Sequence, residues 1–164
     1  MLFGVGCSNS KQGGLVYLND MESVKGWQAI SLSRWPVHGG WYSNKLDTAH
    51  AYGASFKLPF KEIFSGKLEK VKVSLWVYFT AKSNATLVME IKDAKEKQLS
   101  WNALKMEDQV KQPWKWQKVT AEFSLKIPFS KDPENIVNIY PWDNGGKDIY
   151  VDDILIEFVK DRVY

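Results

Sequence analysis

Ile149-Tyr-Val-Asp-Asp-Ile-Leu-Ile-Glu-Phe158 closes the chain with apolar side chains at a period near two, the spacing of a half-buried β-strand. Upstream of it, Asp143-Asn-Gly-Gly146 predicts a hairpin turn, because Asn and Gly accept the positive φ that tight turns need. That turn joins the last strand to Ile136-Val-Asn-Ile-Tyr140. Lys118-Val-Thr-Ala-Glu-Phe-Ser-Leu-Lys126 alternates as well. In Val71-Lys-Val-Ser-Leu-Trp-Val-Tyr-Phe79, one face carries Val71, Val73, Leu75, Val77 and Phe79 and the other Ser74, Trp76 and Tyr78. Both faces are partly apolar, so the outer one is expected to be covered. Thr86-Leu-Val-Met-Glu-Ile-Lys92 repeats the pattern and predicts a hairpin with it across Lys82-Ser83-Asn84. Lys57 to Lys67 and Asn102 to Val110 are expected to hold at most a helical turn or two, since Pro59 and Pro113 interrupt them. About eight strands with irregular connections predict an all-β fold, a two-sheet antiparallel β-sandwich of jelly-roll kind.

At 164 residues the chain suits one domain. Its net charge of +3 comes from 22 basic and 19 acidic residues spread along the whole length. The groups Lys67, Lys70, Lys72 and Lys92, Lys95, Lys97 are mixed with Glu69, Asp93 and Glu96, so they read as solvated strand ends and no nucleic-acid partner is expected. The excess is aromatic: eight Trp, seven Tyr and eight Phe, more large rings than one core of this size can bury. The single cysteine, Cys7, excludes a disulfide framework and a cysteine-based metal site.

Cys7 follows Leu2-Phe3-Gly4-Val5-Gly6 and precedes Ser8-Asn9-Ser10-Lys11-Gln12-Gly13-Gly14. This resembles the cleavage end of a bacterial lipoprotein signal, which implies a lipidated cysteine, a polar tether and a lipid-anchored place in the bacterial cell envelope, periplasmic or outward facing. The alternative is an incidental thiol in a frayed terminus. Residues 1–14 are thus a tail and residues 15–164 the sandwich domain. After the tail no run of 18 apolar residues occurs, which leaves a lipid anchor as the expected contact with membrane.

Three further signatures carry a second resemblance: Leu18-Asn-Asp-Met-Glu-Ser-Val-Lys-Gly-Trp27, Ala51-Tyr-Gly-Ala-Ser-Phe-Lys-Leu58, and the series Trp116-Gln-Lys-Val-Thr, Ile139-Tyr-Pro-Trp142, Ile149-Tyr-Val-Asp-Asp-Ile154. In order and spacing they are similar to the jelly-roll carbohydrate-binding modules appended to xylanases and endoglucanases, within the galactose-binding-like folds. The resemblance implies a structural calcium joining the first strand to the last, with Asp20, Glu22 and Asp153 as ligands and Asp152 behind them. The competing reading makes Asp20 and Glu22 turn acids and has Asp152 and Asp153 bond nearby backbone N–H groups.

A sugar ring offers an apolar C–H face and a rim of hydroxyls, so flat aromatics beside polar side chains suit it. Trp35, Trp41, Tyr42, Trp101, Tyr140 and Trp142 are the candidate ligand-binding residues, and Trp27, Trp76 and Trp116 the expected packing residues. Asn138, Tyr140 and Trp142 alternate and are expected to share a concave sheet face with Trp76 and Tyr78. Catalytic residues are not expected: His38 and His50 lie in no nucleophile or metal motif, and Glu90, Asp93, Glu107 and Asp108 read as solvated acids. The expected function is non-catalytic binding of a polysaccharide or oligosaccharide. The alternative is an interaction domain that holds an envelope protein partner.

Overall fold

The computed structural model of the chain describes residues 15–162. The tail with Cys7, and with it the predicted lipidation site, lies outside the described residues. Eleven strands follow in chain order: β1 (Val16–Asn19), β2 (Trp27–Gln28), β3 (Leu32–Ser33), β4 (Ser43–Leu46), β5 (Ser55–Pro59), β6 (Leu68–Phe79), β7 (Thr86–Lys92), β8 (Gln98–Lys105), β9 (Trp116–Ser124), β10 (Ile136–Trp142) and β11 (Ile149–Lys160). One α-helical turn, α1 (Phe60–Ile63), and two 3₁₀ turns, Met106–Asp108 and Pro128–Lys131, interrupt them.

The strands form two antiparallel sheets, as the alternating patterns predict. The front sheet runs β2-β5-β10-β7-β8; the back sheet runs β3-β4-β11-β6-β9, with β1 also paired to β11. Alternation decides what meets between them. Val71, Val73, Leu75, Val77 and Phe79 of β6 point inward from the back sheet and meet Leu87, Met89 and Ile91 of β7 and Val137 and Ile139 of β10, all nearly or wholly excluded from solvent. The rings of Tyr17, Phe56 and Phe158 close one part of this core, with centroids 4.5 to 6.1 Å apart.

Strand β11 solves a phase problem visible in its sequence. The residues it gives to the core are Ile149 and Val151, then Ile154, Ile156 and Phe158, a switch from odd to even positions. A strict strand would send one half to solvent. The pairing with β6 shifts register between Asp152 and Leu155, and Asp153 takes a φ of 48°, so a bulge turns both halves toward the core. The same strand pairs β4 over 149–151 and β1 over 154–157 along one edge.

Three local expectations are corrected. Strands β6 and β7 do not form a hairpin, because each buries its alternate residues in the same core from opposite sheets. The segments at Lys82-Ser83-Asn84 and Asp143-Asn-Gly-Gly146 are both crossovers between sheets, stitched by a buried hydrogen bond of 3.0 Å from Ser83 Oγ to Asp143 Oδ1. Asn102 to Lys105 is strand, not helical turn; only Met106–Asp108 coils, into a single 3₁₀ turn. Strand β8 is the edge of the front sheet and mostly solvated, which removes the alternation that marks buried strands.

Candidate functional site

The outward side chains of the front sheet fall in rows set by strand register. Lys57, Asn138, Glu90 and Trp101 make one row across β5, β10, β7 and β8; Tyr140 and Val88 begin the next, and Trp142 and Thr86 the one beyond. Tyr52, just before β5, bridges to Trp142, and their rings lie near parallel at 21° with centroids 6.3 Å apart. Tyr52 also leans on Tyr140 at 5.7 Å. Trp101 presents its ring from the far edge, 44% exposed.

Between these rings sits a polar centre around Glu90, which is only 5% exposed. Its carboxylate accepts from Lys92 Nζ at 2.9 Å, Asn138 Nδ2 at 3.2 Å and the Tyr140 hydroxyl at 3.4 Å. Burial, reinforced by the negative charge of Glu90, pushes the Tyr140 hydroxyl up to about 12, against a hydrogen bond from the Trp101 side chain. The hydrogen bond to Glu90 raises the Lys92 ammonium above its ordinary value. Two polar atoms on this face, Asn138 Oδ1 and Thr86 Oγ1, are buried and have no hydrogen-bond partner. A buried orphan acceptor or hydroxyl costs about 1–3 kcal/mol, so two of them, spaced along the face that carries these rings, mark places where something else completes the bonding.

On the back sheet the β3–β4 hairpin carries the other predicted aromatics. Trp35 and Trp41 are 69% and 78% exposed. Tyr42 instead packs partly against the core, and its hydroxyl accepts from Arg34 Nη2 at 3.3 Å. The tip of the hairpin folds over the sheet: the His38 ring stacks on Trp76 at 4.0 Å and meets Trp116 edge-on at 5.7 Å. The expectation that Trp76 and Tyr78 share a face with Asn138, Tyr140 and Trp142 is therefore corrected: they lie on the other sheet, with Tyr78 packed among Trp114, Trp116 and Tyr150. Trp76 and Trp116 are half-buried on that outer face and only Trp27, edge-on to Phe56, packs against the core.

The acids proposed for calcium serve this hairpin. Glu22 Oε1 accepts the backbone N–H of Trp41 at 2.6 Å and of Tyr42 at 2.9 Å. Gly40 has a φ of 61°, and a side chain there would collide with the Glu22 carboxylate. Asp152 Oδ2 accepts from the backbone N–H of His38 at 2.9 Å and of Gly39 at 3.3 Å, and Asp153 Oδ2 is 2.6 Å from His38 Nδ1. Asp20 Oδ1 accepts the Glu22 N–H at 3.1 Å. Burial pushes the Asp152 carboxyl up to about 6, opposed by the two N–H donors from the hairpin. Among the described residues no three His, Cys, Asp or Glu side chains form a group that could hold a metal ion. Glu22 and Asp153 are thus engaged by backbone and imidazole donors, and a calcium ion would have to share their carboxylates with these partners. Nor are Glu22 and Asp153 the turn acid and local N–H acceptor of the competing reading, since their partners lie far off in sequence.

The six predicted ligand residues thus divide. Trp101, Tyr140 and Trp142 converge on the front sheet; Trp35 and Trp41 stand apart on the back-sheet hairpin; Tyr42 supports that hairpin. Sequence reasoning missed Tyr52, Glu90, Lys92 and Thr86. Register is the signal that finds Glu90, since it alternates with Val88 and Lys92 on the face opposite Met89 and Ile91.

No protein-family model and no curated protein sequence matches the chain. Solved structures do. The CBM22-1 xylan-binding domain of Paenibacillus barcinonensis Xyn10C is 17% identical, with a TM-score of 0.55 over 92% of this chain and 98% of that one. The C-terminal family 22 carbohydrate-binding module of Clostridium thermocellum Xyn10B is 19% identical, with a TM-score of 0.55 over 93% and 98%. The tandem CBM22-1–CBM22-2 structure from the Paenibacillus protein reaches 0.60 at 18% identity, covering 96% of this chain and 49% of that one. At such identities the likeness is one of architecture: the chain has the antiparallel β-sandwich fold that these carbohydrate-binding modules share.

Proposed function

We propose that the domain binds a polysaccharide or oligosaccharide without cleaving it, laying the sugar chain across the outer face of the front sheet. The observation that carries this reading is the grouping of Tyr52, Trp101, Tyr140 and Trp142 around polar atoms that lack partners, Asn138 Oδ1 and Thr86 Oγ1. Rings stack on the C–H faces of sugars while the polar atoms take hydroxyls. The xylan-binding neighbours support the ligand class. Absence of catalysis is supported by Glu90, which is tied to Lys92, Asn138 and Tyr140, and by Glu96, which is tied to Lys57 at 2.7 Å; acceptors so engaged suit holding hydroxyls better than protonating a leaving group. The proposed setting is the bacterial cell envelope through an acylated Cys7, which rests on the sequence of the tail; palmitate labelling lost in Cys7→Ser tests it.

Affinity gels cast with xylan, mixed-linkage glucan, cellulose derivatives and envelope polysaccharides test the binding itself. Retardation in at least one gel, with quenching of tryptophan fluorescence by its oligosaccharide, is expected. No retardation and no quenching across the panel would reject the glycan reading in favour of a protein partner.

A further inference from the structure

Trp35 and Trp41 take no part in the front-sheet site, yet they are the most exposed of the large apolar side chains among the described residues. We infer that the β3–β4 hairpin is a second glycan contact, separate from the first; the inference rests on the proposal that the domain binds glycan at all.

The placement of the two indoles follows from register. Leu32 pairs with Asn44 and Ser33 with Ser43, and the next two positions, Arg34 and Tyr42, still touch, with the guanidinium 5.6 Å from the ring centroid. Trp35 and Trp41 come next, leaving the mouth of one hairpin from facing positions. Neither ring packs on another aromatic ring among the described residues. Leaving an indole in water forgoes roughly 1.5–3 kcal/mol of burial, so folding gives no reason for either.

The backbone around them is held firmly. Glu22 grips Trp41 and Tyr42, Asp152 grips His38 and Gly39, and His38 is stacked on Trp76. Ser33 Oγ donates to the Trp35 carbonyl at 2.8 Å, and Ser43 Oγ to that of Pro36 at 2.7 Å. Anchoring a loop at so many points while leaving its two largest side chains free lowers the entropy lost when they meet a ligand.

The surroundings select the ligand class. In the loop the two rings are flanked by Arg34 and Pro36 and by Gly40 and Tyr42; Pro36 is buried and Val37 and Tyr42 partly so, which leaves Arg34, His38 and Gly40 as the exposed groups between and beside the indoles, with Glu22 beneath. A protein interface has a continuous apolar centre, and a membrane-inserting loop sits among aliphatic and basic residues. Two separate flat apolar faces among hydrogen-bonding groups match a chain of sugar rings. Because the hairpin belongs to the back sheet, a short oligosaccharide seated on the front sheet leaves it empty, while a long or insoluble polysaccharide engages both contacts and gains from their linkage.

The double variant Trp35→Ala/Trp41→Ala, compared with wild type on xylohexaose and on insoluble xylan, tests this. The substitutions remove exposed side chains, so the melting temperature is expected to stay the same. Affinity for xylohexaose should stay within about twofold and apparent affinity for insoluble xylan should fall at least about tenfold. Trp101→Ala, by contrast, should weaken both. Equal binding of insoluble xylan by wild type and the double variant overturns the second contact and leaves the front-sheet site standing. Where the affinity gels select another glycan, its oligosaccharide and insoluble form replace the xylan pair, and failure of wild type to bind any of them removes both. Sedimentation of wild type with anionic phosphatidylglycerol vesicles, lost in the double variant, reassigns the hairpin to a membrane surface and likewise overturns the inference.

Discussion

The outer face of the front sheet and the β3–β4 hairpin both present aromatic rings, but they hold them by different means. On the sheet, each ring stands on a strand and its place is set by ladder register, with Trp142 opposite Thr86 and Trp101 opposite Glu90. On the hairpin there is almost no ladder, only two paired positions, and carboxylates from distant parts of the chain hold the backbone in place. The lesson is energetic. A sheet spreads its order over many hydrogen bonds each worth about 1 kcal/mol net, whereas the hairpin concentrates it in a few charge-assisted ones worth about twice that. Ligand binding should therefore be most sensitive to single changes on the sheet's rings, and loop order to single changes at the carboxylates.

Four measurements break or sharpen that contrast. Trp101→Ala is expected to reduce oligosaccharide affinity by about 10- to 100-fold, the cost of an aromatic anchor, with the melting temperature unchanged. A loss of folding instead would mean that the sheet's edge, and not its ligand, needs this ring.

The next effect lies on the hairpin side. In the folded chain Asp152 holds its proton up to about pH 6, because it is buried, while in the unfolded chain it releases it near pH 4. Its raised value makes this group a stabilising influence below about pH 4 that is lost as pH rises through 6. Wild type should thus lose about 2 kcal/mol between pH 4 and 7 relative to Asp152→Asn, read as the difference between their urea unfolding curves at each pH. Parallel profiles for the two proteins would show that the carboxyl is better solvated than its burial implies.

Glu22→Ala should cost about 1–2 kcal/mol, because it leaves the N–H groups of Trp41 and Tyr42 without their shared acceptor. Amide exchange at those two residues should accelerate well beyond the global change. The smallest effect expected is none: EDTA should leave the melting temperature of protein purified in calcium-containing buffer where it was, since the acids at the hairpin are satisfied by N–H and imidazole donors. A drop of several degrees on chelation would restore calcium to the site.

Much of the architecture was legible because burial leaves a periodic mark. The inward residues of β6, β7, β9 and β11 alternate in the sequence, and the sheets were predicted from them. Which strands pair was not legible. Lys82-Ser83-Asn84 and Asp143-Asn-Gly-Gly146 carry ordinary turn chemistry, and a turn residue does not record whether the chain returns in the same sheet or crosses to the other. The site shows the same division. Trp101, Tyr140 and Trp142 were named from residue type, but their union with Glu90 and Tyr52 depends on register between strands far apart in sequence. Asp152 and Asp153 stood out as a pair of acids; that they hold His38 and Gly39 is a contact across more than a hundred residues that no local pattern encodes.

Strand β11, the last of the described strands to be made, is also the one on which the back sheet is assembled, with β6 along one side and β4 and β1 along the other. On the ribosome the back sheet can be completed only after the other ten described strands have emerged. Until then β6 and β4 expose edges shaped for a partner that does not yet exist. Long-range pairing of this kind slows folding and lengthens the interval in which another nascent copy can occupy the vacant place. Stalling or truncation before Ile149 should therefore yield insoluble product, and a separate peptide spanning β11 should rescue its solubility.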